Sequence, residues 1–204
     1  MSGDRFLGTP GLLGMLGMAL VLAGAPCAVG AEPPASWGLA QLMAGMQQVR
    51  AATARFVERK QVRLLNQALQ SSGKLSYVAP DRLQKQTLAP VPSQLTIERD
   101  RLIIVEPDGA THDMAISDYP EIAALAESIR ATLAGDLVAL SRYYSPTLTG
   151  SPVEWNLLLK PRGQRLRDLV SEIHIRGEGN RIGSIETVEP DGDRTVMTIV
   201  PKLE

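Results

Sequence analysis

Cysteine is nearly missing: Cys27 is the one thiol in 204 residues, and it falls in an amino-terminal stretch that reads as a removable leader. Without it the chain has no disulfide, no thiolate nucleophile and no cysteine-ligated metal, so stability must come from packing. Histidine is scarce too. His112 and His174 have neither a second histidine nor a carboxylate at metal-ligand spacing, so no metal site and no cofactor is expected. His174, between Ile173 and Ile175, is read as facing solvent. No sign of charge dominates, with 21 basic against 22 acidic residues, and no nucleic-acid partner is expected.

Catalytic signatures are also lacking. There is no Gly-x-Ser-x-Gly elbow, no glycine-rich phosphate loop and no His-Glu-x-x-His segment, and the expectation is that the protein is not an enzyme. The most visible acid pair, Asp191 and Asp193, lies in Asp-Gly-Asp-Arg, which reads as an exposed hairpin turn in preference to a hydrolase acid pair or a calcium site.

What is present begins with an export signal. Residues 1–31 have a charged start at Asp4 and Arg5, an apolar run through Leu12, Leu13, Leu16, Leu20, Val21 and Leu22, and small residues at Val29 and Ala31. Cleavage is expected near Ala31, leaving residues 32–204 as one domain, enough for a sizeable core. Pro26 directly before Cys27 argues against lipid attachment at that cysteine, so the mature chain is expected to be released, without a lipid of its own, into the periplasm.

Apolar residues at Leu39, Leu42, Met43, Met46 and Val49 predict an amphipathic helix ending near Ala54. From Arg55 the pattern changes to short β-branched segments split by Gly, Pro, Asp and Ser, predicting strands at about 55–62, 73–78, 82–88, 94–98, 102–106 and 110–116. Asp118, read as an acidic cap, and Pro120 introduce a helix carrying Ile122, Leu125, Ile129 and Leu133. Gly135-Asp136 interrupts it, and Leu137, Leu140 and Tyr144 continue helically until Pro146 stops the run. Strands are then expected at about 146–148, 154–160, 169–176, 181–189 and 194–200. About eleven antiparallel strands accumulate twist, so the sheet must curl, with about three helices able to cover part of its apolar face.

The order of these elements resembles the periplasmic outer-membrane lipoprotein carriers of the LolA type. Ala54-Arg55-Phe56-Val57-Glu58-Arg59-Lys60 is similar to that family's junction of first helix and first strand, and Gly73-x-Leu75-x-Tyr77-x-x-Pro80 is similar to its second hairpin. The resemblance covers nearly all of residues 38–200. It implies an α+β, mainly β fold, an incomplete barrel with helices as a lid over a hydrophobic cavity. It further implies a carrier that consumes no cofactor, takes the acyl chains of lipoproteins from an inner-membrane transporter and hands them to an outer-membrane acceptor, and the chain is expected to work as a monomer. A glycolipid or polyene-type cargo, or a sensory binding module on the same scaffold, is the alternative. One departure is Ala79, where the family has an arginine before the hairpin proline.

Alternation along the strands selects Leu75, Tyr77, Leu83, Leu95, Ile97, Leu157, Leu159, Ile173, Ile175, Met197 and Ile199 as ligand-binding candidates, with ordinary core packing as the competing reading of each. Ile122, Leu125, Ile129 and Leu133 are the candidate lid. Arg82 is the nearest base that could replace the missing arginine, and Lys85 could meet a lipid head group or reach to water.

Overall fold

The computed structural model describes residues 37–201, and for residues 120–122, 124, 125 and 201 the backbone alone. The leader and its cleavage site lie outside the described residues. Helix α1 (Leu39–Met46) buries Leu42, Met43 and Met46. It is shorter than its apolar stripe predicts. Ala51 to Ala54 belong instead to β1 (Ala51–Gln61), because they pair with Val78 to Leu75 of β2 (Leu69–Val78), and ladder hydrogen bonds outweigh the helix preference of the alanines.

A meander continues through β3 (Arg82–Ala89), β4 (Ser93–Glu98), β5 (Arg101–Val105) and β6 (Thr111–Ala115), close to the expected bounds. A 3-10 turn over Ile116–Asp118 takes up Asp118, so the cap of α2 (Pro120–Ala134) is Tyr119, which makes no side-chain capping bond. This corrects the reading of Asp118, while Pro120 does occupy the first turn of the helix. Gly135 ends α2 in the left-handed region at φ 65°, and Asp136 caps α3 (Leu137–Tyr143) by accepting the Ala139 N–H at 2.9 Å.

Tyr144 does not extend that helix but joins the strand expected to open at Pro146. The two lie in β7 (Tyr144–Ser151), opposite Pro161 and Leu159 of β8 (Glu154–Pro161), and a proline is tolerated there because β7 is an edge strand. A single turn, α4 (Gln164–Arg167), seats Leu166 in the core ahead of Val170, so β9 starts at Glu172 and not at Leu169. Strands β9 (Glu172–Glu178), β10 (Arg181–Val188) and β11 (Arg194–Pro201) complete the chain.

All eleven strands form one antiparallel sheet in the order β6-β5-β4-β3-β2-β1-β11-β10-β9-β8-β7. β1 joins the two halves by pairing with β11 from Ala54↔Pro201 to Gln61↔Arg194. The sheet does not close, since among the described residues β6 and β7 have no partner on their outer sides. Helices α2 and α3 connect these two edges.

Two apolar clusters hold the fold. The larger joins Leu42, Met43, Met46, Ala131 and Leu140 from the helices to Trp155, Leu157, Leu159, Ile173 and Ile175 from β8 and β9. The smaller joins Ala126 of α2 to Ile97 and Leu102. Among the described residues, no helix is long and apolar enough to cross a membrane.

Candidate functional site

In an antiparallel ladder, directly paired residues share a face and alternate residues return to it, so the register decides which side chains meet. One row runs Tyr77, Leu83, Ile97, Leu102 and Met114 across β2 to β6. The next runs Leu75, Lys85, Leu95 and Ile104. Phe56 of β1 pairs with Gly73 and with Ile199, Glu58 with Ser71 and Met197, and Met197 leads through Ile185 and Ile175 to Leu157. Ile173 and Leu159 form the adjoining row. All eleven apolar residues selected by alternation therefore lie on one face, and it is the face against which α1, α2 and α3 pack.

Burial divides that face into three zones. Leu157, Leu159, Ile173 and Ile175 are fully buried beneath the helices, and Ile97 is buried against α2. Between them, Leu75, Leu83, Met197 and Ile199 are only half-buried, as are Leu95 and Ile185. On α2, Ile129 and Leu133 are half-buried; Ile122 and Leu125 share the helix, with side chains outside the described residues.

The Phe56–Gly73 pairing explains two residues of the sequence pattern at once. A Cβ on Gly73 would stand 1.9 Å from the Gln86 carbonyl oxygen and 2.9 Å from the Phe56 ring. Only glycine lets the ring lie across β2, and Phe56 is 1% exposed.

The middle zone also holds charge. Lys85 Nζ donates to both carboxylate oxygens of Glu58 at 2.9 and 2.8 Å and stands 5.1 Å from the centre of the Phe56 ring. Ser71 Oγ donates to the same carboxylate at 3.2 Å. Lys60, next on that face of β1, pairs with Glu189 at 2.8 Å. Tyr77, 3% exposed, has a buried hydroxyl with no hydrogen-bond partner; burial pushes its phenol up, with Arg130 of α2 and Arg50 opposing the shift. Arg82 is exposed, and the register puts it on the outer face, away from α2.

Hollows lie on the outer face among the described residues. One, of about 410 Å³, lies beside Val153, Arg176, Glu178 and Arg181, near the irregularity between Ile182 and Ser184. Another, of about 360 Å³, lies over Arg55, Lys74, Gln84 and Gln86. His174 is on this face as well, but half-buried: its Nε2 is 3.0 Å from Glu172, and its Nδ1 is buried without a partner. The expectation that His174 simply faces solvent is corrected accordingly.

Asp191 and Asp193 are turn residues, though Asp193 is buried and not exposed. It accepts the Arg63 N–H at 3.0 Å, while Asp191 accepts the Asp193 N–H at 3.0 Å. Their oxygens lie within 4.8 Å of one another and of Glu189, yet each acid is already engaged by the hairpin or by Lys60.

Alternation missed Phe56, Glu58, Leu102, Trp155 and Ile185 as inner-face residues. The signal was available, since Trp155 is two residues before Leu157 and Glu58 two after Phe56.

Comparison with solved structures finds similarities at low identity and modest TM-score. A DUF1329 family protein from Desulfovibrio piger aligns at TM-score 0.42 and 12% identity, over 79% of this chain and 88% of that one. A LolA superfamily protein from Nitrosomonas europaea aligns at 0.39 and 8%, over 80% and 93%. A putative outer membrane lipoprotein-sorting protein domain from Vibrio parahaemolyticus aligns at 0.41 and 8%, over 79% and 88%. No curated protein matches the chain in sequence. The family described as outer membrane lipoprotein carrier protein LolA-like matches residues 31–200, most of the chain, and the protein belongs to that family.

Proposed function

We propose that the protein is a non-catalytic periplasmic carrier of acyl chains, released from its leader near Ala31 and working as a monomer. The observation that carries this reading is the inner face: a largely apolar surface under helices, interrupted by the Glu58–Lys85 pair, buried at both ends and only half-covered at Leu75, Leu83, Met197 and Ile199. Acyl chains of a lipoprotein lie along that middle zone, with Tyr77, Leu95, Ile97, Leu157, Leu159, Ile173 and Ile175 as its walls. Helix α2, with Ile122, Leu125, Ile129 and Leu133, serves as the lid. Lys85 meets the polar end of the cargo, and Arg82 at the rim of β3 is free to meet an approaching partner. An inner-membrane transporter loads the carrier and an outer-membrane acceptor empties it.

Energetics support a lid that exchanges contacts. Burying a chain of about sixteen carbons gains about 12 kcal/mol, too much for easy release unless helix contacts are given up on loading and regained on unloading. Native mass spectrometry and lipid extraction of protein taken from periplasm test the reading. Acyl-bearing material bound in a one-to-one complex is expected, and protein that is lipid-free in every preparation refutes it.

A further inference from the structure

We propose that Glu58 and Lys85 set the head-group selectivity of the inner face, admitting acyl chains in uncharged ester or amide linkage and turning away chains that end in a free anionic group. This rests on the carrier reading. It follows from where charge lies on that face and how it is compensated.

Lys60 and Lys85 are the only lysines or arginines that the register places on the inner face of the sheet among the described residues, and each is paired with a carboxylate. Arg130 of α2, whose charge is felt at Tyr77, is paired with Glu127, its Nε at 2.8 Å. Among the described residues, neither lysine on the inner face of the sheet therefore waits uncompensated for an anion, and Arg50, just before β1, is exposed to solvent. Glu58 and Lys85 are 20% and 29% exposed in their side chains, and Met197, Leu75 and Leu95 are their cross-strand neighbours.

An arriving carboxylate or phosphate finds Lys85 already engaged by both oxygens of Glu58. To reach Lys85 it must either lie against the Glu58 carboxylate, like charge beside like charge, or displace it, leaving that carboxylate beside Met197 with the Ser71 hydroxyl as partner, and either arrangement of half-buried charge is costly. An ester or amide carbonyl has no such conflict. Ammonium carries three donors, so Lys85 can hold Glu58 and still donate to an uncharged carbonyl.

The test uses the intact mature chain, stripped of lipid, with two fluorescent probes that differ only at the head: a pyrene-labelled long-chain fatty acid and its methyl ester, both at pH 8. Wild type is expected to bind the ester about tenfold more tightly than the acid. Glu58→Gln, which leaves Lys85 without its counter-ion, should abolish or reverse that ratio. Lys85→Met, which leaves Glu58 alone, should widen it. The exchanged pair Glu58→Lys with Lys85→Glu should restore it, which keeps the test decisive if a single variant folds poorly. An acid-to-ester ratio that is the same in wild type and both single variants overturns the proposal while leaving the carrier reading intact. Failure of both probes to bind wild type overturns the carrier reading and the selectivity with it.

Discussion

Replacing Gly135 by alanine should damage the protein far more than the same change at Gly109, and the difference measures how tightly the end of α2 is held against α1. Both glycines have positive φ, 65° and 85°. A side chain in that region costs about 1–2 kcal/mol wherever it occurs. At Gly109 nothing lies within 4 Å of the added Cβ, so that cost stands alone. At Gly135 the Cβ would sit 2.1 Å from the Met43 carbonyl oxygen and 2.7 Å from the Gln47 side chain, and Gln47 Nε2 also donates to the Gly135 carbonyl at 3.1 Å. Forcing α1 and α2 apart by roughly an ångström is an overpacking error, adding about 1–3 kcal/mol. Gly135→Ala should therefore unfold about 2–5 kcal/mol more easily than wild type and Gly109→Ala about 1–2. For a chain of this size each kcal/mol moves the melting temperature by roughly 2–4 °C. Thermal unfolding followed by circular dichroism reads both. If the two variants melt within about 1 °C of each other, the close approach of α2 to α1 is refuted.

Two further predictions concern the inner face. Leu157→Ala, in the fully buried end, should cost about 2–5 kcal/mol of stability, whereas Met197→Ala, in the half-covered middle, should cost less than about 1.5 kcal/mol yet weaken acyl-chain binding severalfold; chemical denaturation and probe titration compare them. Burial pushes the Tyr144 phenol up to about 12, with a hydrogen bond to Ser128 pulling it back. Because the folded state holds this proton more tightly than the unfolded chain, its stabilisation is complete below pH 10 and is lost as pH rises from 10 to 12. Melting temperatures between pH 9 and 12 should fall more steeply for wild type than for Tyr144→Phe, and parallel curves would refute the shift.

Much of the meander was legible because β3 to β6 are bounded by Pro80-Asp81, Pro90 with Pro92, and Pro107-Asp108-Gly109, residues whose backbone preferences act locally. Local preference failed where a distant strand decided the outcome. Ala51 to Ala54 favour helix by composition and become strand by pairing with β2, and Tyr144 continues the helical spacing of Leu137 and Leu140 yet pairs with Pro161 in β7. At the site, period-two alternation placed all eleven apolar candidates on one face, since parity survives small errors in strand bounds. It could not say which part of the face is filled, because that depends on where α1 and α2 come to rest. Nor could it pair Glu58 with Lys85, 27 residues apart on different strands.

The helical crossover between β6 and β7 has a mechanical consequence. Eleven strands spaced about 4.8 Å apart make a ribbon roughly 48 Å from edge to edge along its own surface. The link joining those edges contains helices of 15 and 7 residues, roughly 22 and 10 Å long, which pack against each other and do not extend in line. Such a link acts as a bowstring shorter than its bow. It keeps the sheet bent without a single hydrogen bond between β6 and β7, and its length sets an upper limit on how far the gap between them can gape.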